Sequence, residues 1–205
     1  DIEIYEHISK PYVTGSLIMT DTERVLERFD IQGVETFTLK IQRTAYATDP
    51  IEKVFIIDSV KNVIRGNETT QIVQLHFTED CGYKSVLYNV NKSYSDEPQT
   101  IIAKIAEDYF GKKVISTADQ NVSNSMKVII PNLHPLDAMQ WIKNRSSTAE
   151  GYPFYLYSTF ATGKLYFIDL GSMLSQVAIN EKFPYMFSQS NASVETPQRL
   201  MKIYE

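Results

Sequence analysis

Glu35-Thr36-Phe37-Thr38-Leu39-Lys40-Ile41-Gln42 puts Phe37, Leu39 and Ile41 on one side of an extended chain and Thr36, Thr38, Lys40 and Gln42 on the other. Successive side chains of a strand point to opposite faces, so the alternation specifies a strand with one dry and one wet face. Thr70 to Thr78 repeats the period, with Val73, Leu75 and Phe77 opposing Gln74 and His76. Between them Val54-Phe55-Ile56-Ile57 is apolar on both faces, and Arg65-Gly66-Asn67-Glu68 supplies turn residues before the next strand. Upstream, Ile2 and Ile4 alternate with Glu3 and Tyr5, and Pro11 to Thr20 forms a further strand candidate. Thr20-Asp21-Thr22-Glu23 has the form of a capping box, in which Thr20 and Glu23 satisfy orphan amides at the start of a short helix over Arg24 to Phe29. These segments predict an antiparallel meander that closes as a β-barrel over residues 1–92, with Phe37, Leu39, Ile41, Val73, Leu75 and Phe77 inside.

The period changes near residue 95. Pro98 suits a first helical position, and Ile101, Ile102, Ile105, Tyr109 and Phe110 share one face before Gly111 stops the helix, with Lys112 and Lys113 just past the last turn. A polar loop over Thr117 to Ser125, a strand over Met126 to Ile130 and the breaker Pro131 follow. A second helix begins at Pro135 and presents Leu136, Met139, Trp141 and Ile142. Phe154-Tyr155-Leu156-Tyr157 and Leu165-Tyr166-Phe167-Ile168 are the arms of a hairpin. The last residues, Gln198 to Glu205, have the pattern of a helix. The expectation is an α+β chain, a β-barrel followed by a mixed α/β domain over 93–205, cut from a longer polypeptide.

Composition narrows the function. The chain has 205 residues, 43% hydrophobic and 22% charged, with a net charge of −5, so no general positive field collects phosphates. Cys81 is the only cysteine, which excludes an intrachain disulfide. No apolar run approaches the ~18 residues of a membrane span, and the first residues lack a basic and apolar leader, so no membrane insertion is expected. The triplets at Asn67, Asn91, Asn121, Asn144 and Asn191 match the glycosylation pattern but are expected to be coincidental.

Signatures of catalysis are missing. His7 and His76 fall in strands and His134 at a helix cap, none with a thiol or acidic partner at ligand spacing, and no phosphate-binding, nucleophile-elbow or zinc-protease motif occurs. Glu79-Asp80 and Asp21/Glu23 are read as a strand end and helix starts rather than as paired catalytic carboxylates. The acidic pair beside Cys81 raises its thiol pKa, which argues against a nucleophile. No catalytic residue, cofactor or metal is therefore expected; a hydrolase requires scattered carboxylates to converge in space. Thirteen tyrosines and 10 phenylalanines are more informative, because both faces of the Tyr155/Tyr157 hairpin are large and apolar or amphipathic. Helices of the same domain or a second subunit must cover them. A small β-rich module using this hairpin to bind carbohydrate or peptide is the alternative reading.

Ile4-Tyr5-Glu6-His7-Ile8, Lys10-Pro11-Tyr12-Val13-Thr14-Gly15-Ser16-Leu17 and Ile31-Gln32-Gly33-Val34-Glu35-Thr36 together resemble the first barrel of the baseplate hub protein of contractile-tailed, T-even-like phages. Asn91-Lys92-Ser93-Tyr94, Pro135-Leu136-Asp137-Ala138-Met139-Gln140-Trp141-Ile142 and Gly151-Tyr152-Pro153-Phe154-Tyr155-Leu156-Tyr157 are similar to that family's following mixed domain. The resemblance implies a tail-tube-type barrel and a structural role in the virion, assembled in the host cytoplasm. It also implies a homotrimer whose barrels form a pseudo-sixfold ring, adapting a hexameric tail-tube protein to a trimeric central spike protein. DNA would pass through the lumen without specific binding, which an acidic chain lacking basic clusters suits. The family hub begins before Asp1 and completes a second barrel after Glu205, so this chain is expected to hold part of the ring-forming unit. The candidate subunit-interface residues are Tyr12, Val13, Leu17 and Met19 on the strand that contains Gly15, and Tyr155 and Tyr157 on the hairpin.

Overall fold

Period-two sequence becomes a five-stranded antiparallel sheet: β1 (Ile2–Tyr5), β2 (Thr14–Asp21), β3 (Thr36–Ile41), β4 (Ile51–Arg65) and β5 (Gln71–Glu79), in the order β1-β2-β5-β4-β3. The structure is a computed structural model that describes residues 1–42, 49–65, 70–117, 125–177, 186–187 and 202–203. Val73, Leu75 and Phe77 point inward and are buried, and Phe37 and Leu39 are half-buried on the same face while Thr36, Thr38 and Lys40 are exposed. Ile41, expected inside, is 38% exposed, because β3 is an edge strand and Ile41 is its last residue.

The expected barrel does not close among the described residues: the sheet curls, but β1 and β3 remain at opposite edges. Its concave face is plugged instead. Phe160, from the turn of the later hairpin, stacks on Phe55 at 6.2 Å between ring centroids, and Phe55 and Phe37 both contact Phe77. Val13, Phe55, Phe77 and Phe160 form a buried cluster flanked by Ile2, Ile4, Leu17, Phe37, Leu39 and Ile51. A neighbouring cluster of Ile57, Val73 and Leu75 takes up Leu17, Met19, Leu26 and Ile31. Aromatic burial of this kind stabilises the concave face without strand closure.

The short helix α1 (Val25–Arg28) forms, but its capping box does not. Asp21 does the work, accepting from the amides of Glu23, Val25 and Leu26 at 3.2, 2.9 and 3.3 Å. One carboxylate placed at the end of β2 satisfies three donors, so neither Thr20 nor Glu23 is needed. A helix not apparent from the period, α2 (Asp80–Leu87), follows β5 directly; Gly82 lowers its helical signature. There a Cβ would stand 2.7 Å from Thr78 Oγ1 and 3.1 Å from the Tyr12 ring, so the glycine permits the close seat of α2 on this part of the sheet.

Beyond it come β6 (Ser93–Asp96), α3 (Pro98–Phe110), β7 (Val114–Ser116), β8 (Met126–Ile129), α4 (Pro135–Lys143), β9 (Phe154–Ser158) and β10 (Leu165–Asp169). β6 pairs with β8, and β10 lies between β7 and β9. Both helices follow their predicted faces: Ile101, Ile102 and Ile105 of α3 and Met139 and Ile142 of α4 are wholly buried in one core with Leu156, Leu165 and Phe167 of the hairpin. Gly111, at φ 63°, ends α3 in the left-handed conformation, and the Lys112 amide returns to the Ala106 carbonyl at 3.2 Å.

All of these elements belong to one compact unit, Asp1–Leu170; Gly171–Glu205 is a second. In the latter, β11 (Met186–Phe187) pairs in parallel with β12 (Lys202–Ile203). The expected C-terminal helix is therefore wrong at Lys202 and Ile203, where strand pairing overrides helical propensity. Residues 66–68 of the expected turn and 118–124 of the expected polar loop lie outside the described residues.

Candidate assembly surfaces and a buried charged joint

An extended chain exposes assembly surface in two ways, through unpaired strand edges and through side chains left uncovered. β2 is not an edge over its first half. Thr14 to Leu17 pair with β1 on one side and with β5 on the other, while Ile18 to Asp21 pair along β5 beyond the reach of β1. Of the candidate interface residues, Val13 is wholly buried and Leu17 and Met19 are half-buried against the concave core. Tyr12, also half-buried, packs toward the helical core. Gly15 does allow a close approach, since a Cβ there would lie 2.3 Å from the Phe77 ring and 2.5 Å from the Glu3 carbonyl oxygen.

Tyr155 and Tyr157 stand apart from this group, on the side of the three-stranded sheet opposite Phe154, Leu156 and Phe167. Both are half-buried, and Tyr157 stacks on Tyr166 with ring centroids 5.2 Å apart and 14° between planes. Burial raises the Tyr157 phenol above its ordinary value, with the neighbouring Tyr166 adding to the effect. The edge strands of the larger sheet are β1 and β3, so among the described residues the free backbone lies there and at the end of β2, where β1 no longer runs alongside, rather than on the first half of β2.

Sequence reading missed the most concentrated polar feature. Glu79, the last residue of β5, is nearly buried between sheet, helices and hairpin. Lys112 donates to Glu79 Oε1 at 2.5 Å, and the Lys53 ammonium stands 3.7 Å from the same oxygen. Glu79 Oε2 accepts from the Val13 amide at 3.2 Å and the Ser158 hydroxyl at 3.3 Å. Lys53 also donates to the Thr159 carbonyl at 3.0 Å and lies over the Phe160 ring, whose amide donates to Glu6. One carboxylate thus ties β4, the segment before β2, the turn after α3 and the end of β9 together. A buried charge satisfied on all sides is costly to disturb.

Burial lowers the Lys53 ammonium below the ordinary lysine range, against the opposing pull of Glu79. For Lys112 burial acts in the same direction, but Cys81, Glu79 and Asp80 outweigh it and hold the ammonium above that range. Burial also pushes the Cys81 thiol up to about 12, Lys112 opposing and Glu79 and Asp80 adding to the rise. A thiol so held is a poor nucleophile at neutral pH.

His7 lies after β1 rather than in a strand, its Nδ1 2.7 Å from the Ser9 hydroxyl, because pairing of β1 stops at Tyr5. His76 is on β5, and His134 caps α4 with its Nδ1 3.0 Å from the Tyr88 carbonyl. Among the described residues no group of three His, Cys, Asp or Glu side chains could hold a metal ion, and no helix is long and apolar enough to cross a membrane.

No family model matches the sequence, and no curated protein matches it. Solved structures do. The 43 kDa tail protein of prophage MuSo2 from Shewanella oneidensis aligns with a TM-score of 0.52 at 13% identity, over 91% of this chain and 52% of that one. The E. coli c3393 protein aligns with a TM-score of 0.53 at 9% identity, over 94% of this chain and 53% of its own. It is described as a component of the type VI secretion system with structural similarity to the T4 bacteriophage tail proteins gp27 and gp5. The chain spans about half the length of these structures, and over nearly all of its own length it has the fold of a tail protein.

Proposed function

We propose that the chain is a structural, non-enzymatic part of a phage tail or a related contractile particle. The fold shared with two tail-related proteins across at least 91% of the chain carries this reading. In finer detail, the chain is the hub subunit of the baseplate, a homotrimer that adapts a hexameric tail tube to a trimeric spike and lets DNA pass without binding it. Residues 1–92 act as the ring-forming domain and 93–205 as its support. Two features favour this over a binding module. Both edges of the larger sheet are free among the described residues, which suits a subunit that continues into its neighbours. The Glu79 joint fixes the hairpin on the sheet, which suits a part that transmits load.

Mass measurement of the full-length polypeptide containing this chain, with electron-microscopic class averages of the same sample, tests the proposal. The expected result is a trimer with a threefold ring. A monomer at every accessible concentration, with featureless compact averages, overturns the hub reading.

A further inference from the structure

The outward face of the five-stranded sheet carries a cleft of about 310 Å³, whose floor is completed by Gly15 and Phe77. Tyr5, Thr14 and Thr78 lie in one cross-strand row, and Glu3, Ser16, His76 and Ser59 in the next. β4 is irregular here: Ile57 pairs with Phe77 and Ser59 with His76, leaving Asp58 as the extra residue of a bulge. Such a bulge re-aims a side chain, and Asp58 lines the cleft with Tyr5, Tyr12, Thr14, His76 and Thr78. Gly82 leaves the room in which the Tyr12 ring sits against Thr78.

The charges are unbalanced. Among the described residues no salt bridge reaches Asp58 or Glu3, and no lysine or arginine lines the cleft. The Tyr5 hydroxyl donates to Glu3, which leaves the Tyr5 ring electron-rich. An exposed carboxylate beside tyrosine faces, with hydroxyl and imidazole acceptors around it, is complementary to a cation that can also stack.

We propose that this cleft receives a basic side chain, an arginine in the best fit, presented by a protein partner. A planar guanidinium can lie on the Tyr5 face and donate through its edge to Asp58, which an ammonium does less well. The cleft is too small for a folded segment and open enough for one side chain delivered from a facing surface. The inference stands on this geometry and does not depend on the hub reading.

Titration of the full chain with N-acetyl-arginine amide, followed by amide chemical shifts, tests it. Shifts are expected at Thr14, Asp58 and His76, with a dissociation constant on the order of 1 mM, as befits a single side chain. Asp58→Asn should weaken binding roughly fivefold, and Tyr5→Leu roughly threefold. Both side chains are well exposed, Tyr5 at 50%, so the remaining spectrum should be unchanged and serves as the folding control. The neutral isostere N-acetyl-citrulline amide should leave the three amides unmoved. Equal shifts with the citrulline compound, full affinity in Asp58→Asn, or no response to arginine overturns the proposal. A response to N-acetylglucosamine in place of arginine does so too and marks the cleft as a sugar site.

Discussion

Replacing Glu79 by Gln is the sharpest test of how the halves of the first unit are held. The side chains of Glu79, Lys53 and Lys112 are 7%, 12% and 15% exposed, so neither ammonium is freely hydrated once its counter-ion goes. Breaking a buried ion pair from one side costs about 3–5 kcal/mol, because the remaining charge is left unpaired. Two features place this variant near the lower end, about 3 kcal/mol: both lysine tips reach some solvent, and a glutamine oxygen can still accept from the Val13 amide or the Ser158 hydroxyl. Against a total stability of about 5–15 kcal/mol that is a large loss, and it corresponds to a fall in Tm of roughly 6–12 °C for a chain of this size. Urea unfolding of the wild type, Glu79→Gln, Lys112→Met and the double variant gives the coupling directly. Lys112→Met should cost less, since Glu79 keeps Lys53, and the double variant should be less destabilised than the sum of the two by more than about 0.5 kcal/mol. A loss under about 1 kcal/mol for Glu79→Gln, or strict additivity, would refute the argument that this carboxylate holds the joint through charge.

Gly15→Ala sets a methyl group against the Phe77 ring and the Glu3 carbonyl, so it should destabilise by about 1–3 kcal/mol. Gly15→Ala combined with Phe77→Leu should relieve only the ring contact, as urea unfolding would show. Asp21 is held below the ordinary carboxylate range chiefly by the Val25 amide, with Gln71, Leu26 and Glu23 also contributing against the effect of burial. A pKa depressed by folding gives stability that is present above the unfolded value of about 4 and is lost as pH falls through the folded value. Hydrogen-exchange protection of Val25 and Leu26 should therefore drop below about pH 4, and in Asp21→Ala, which removes every acceptor of that side chain, it should be low at every pH. Cys81, wholly buried with its thiol near 12, should resist an aromatic disulfide reagent at pH 8 in the native protein and react fully in urea, whereas native labelling would show that the site opens.

What could be read in advance was local. Alternation at Phe37 and Leu39 and the helical stripe Ile101–Ile102–Ile105 are properties of ten or so consecutive residues, and the structure keeps them. The open sheet was not legible, because its concave face is filled by Phe160, a residue 105 positions beyond the Phe55 ring it stacks on. Turn sequences carry no signal for what they will plug. The Asp21 cap was hidden by a motif that fits the letters: Thr20 and Glu23 have the right spacing, yet Asp21 has the better placed carboxylate at the end of β2.

The joint was half visible. Val73, Leu75 and Phe77 fix the inward parity of β5, and Glu79 falls on that same parity. Lys53 shares the parity of Phe55 and Ile57 in β4, and Phe55 pairs with Glu79. Opposite charges at inward positions two residues apart across neighbouring strands are diagonal neighbours, so the strand register, which the two-sided apolar run of β4 leaves open in the sequence, places Lys53 beside Glu79. What it could not supply was Lys112. That residue reaches Glu79 because Gly111 turns the chain at the end of α3, and the fold of α3 onto the sheet is set by the helical core rather than by anything near Glu79 in sequence. The pair is thus a property of strand parity and register, and the third charge a property of tertiary packing; the coupling measured between Glu79 and Lys112 is the strength of an ion pair that only this packing brings together.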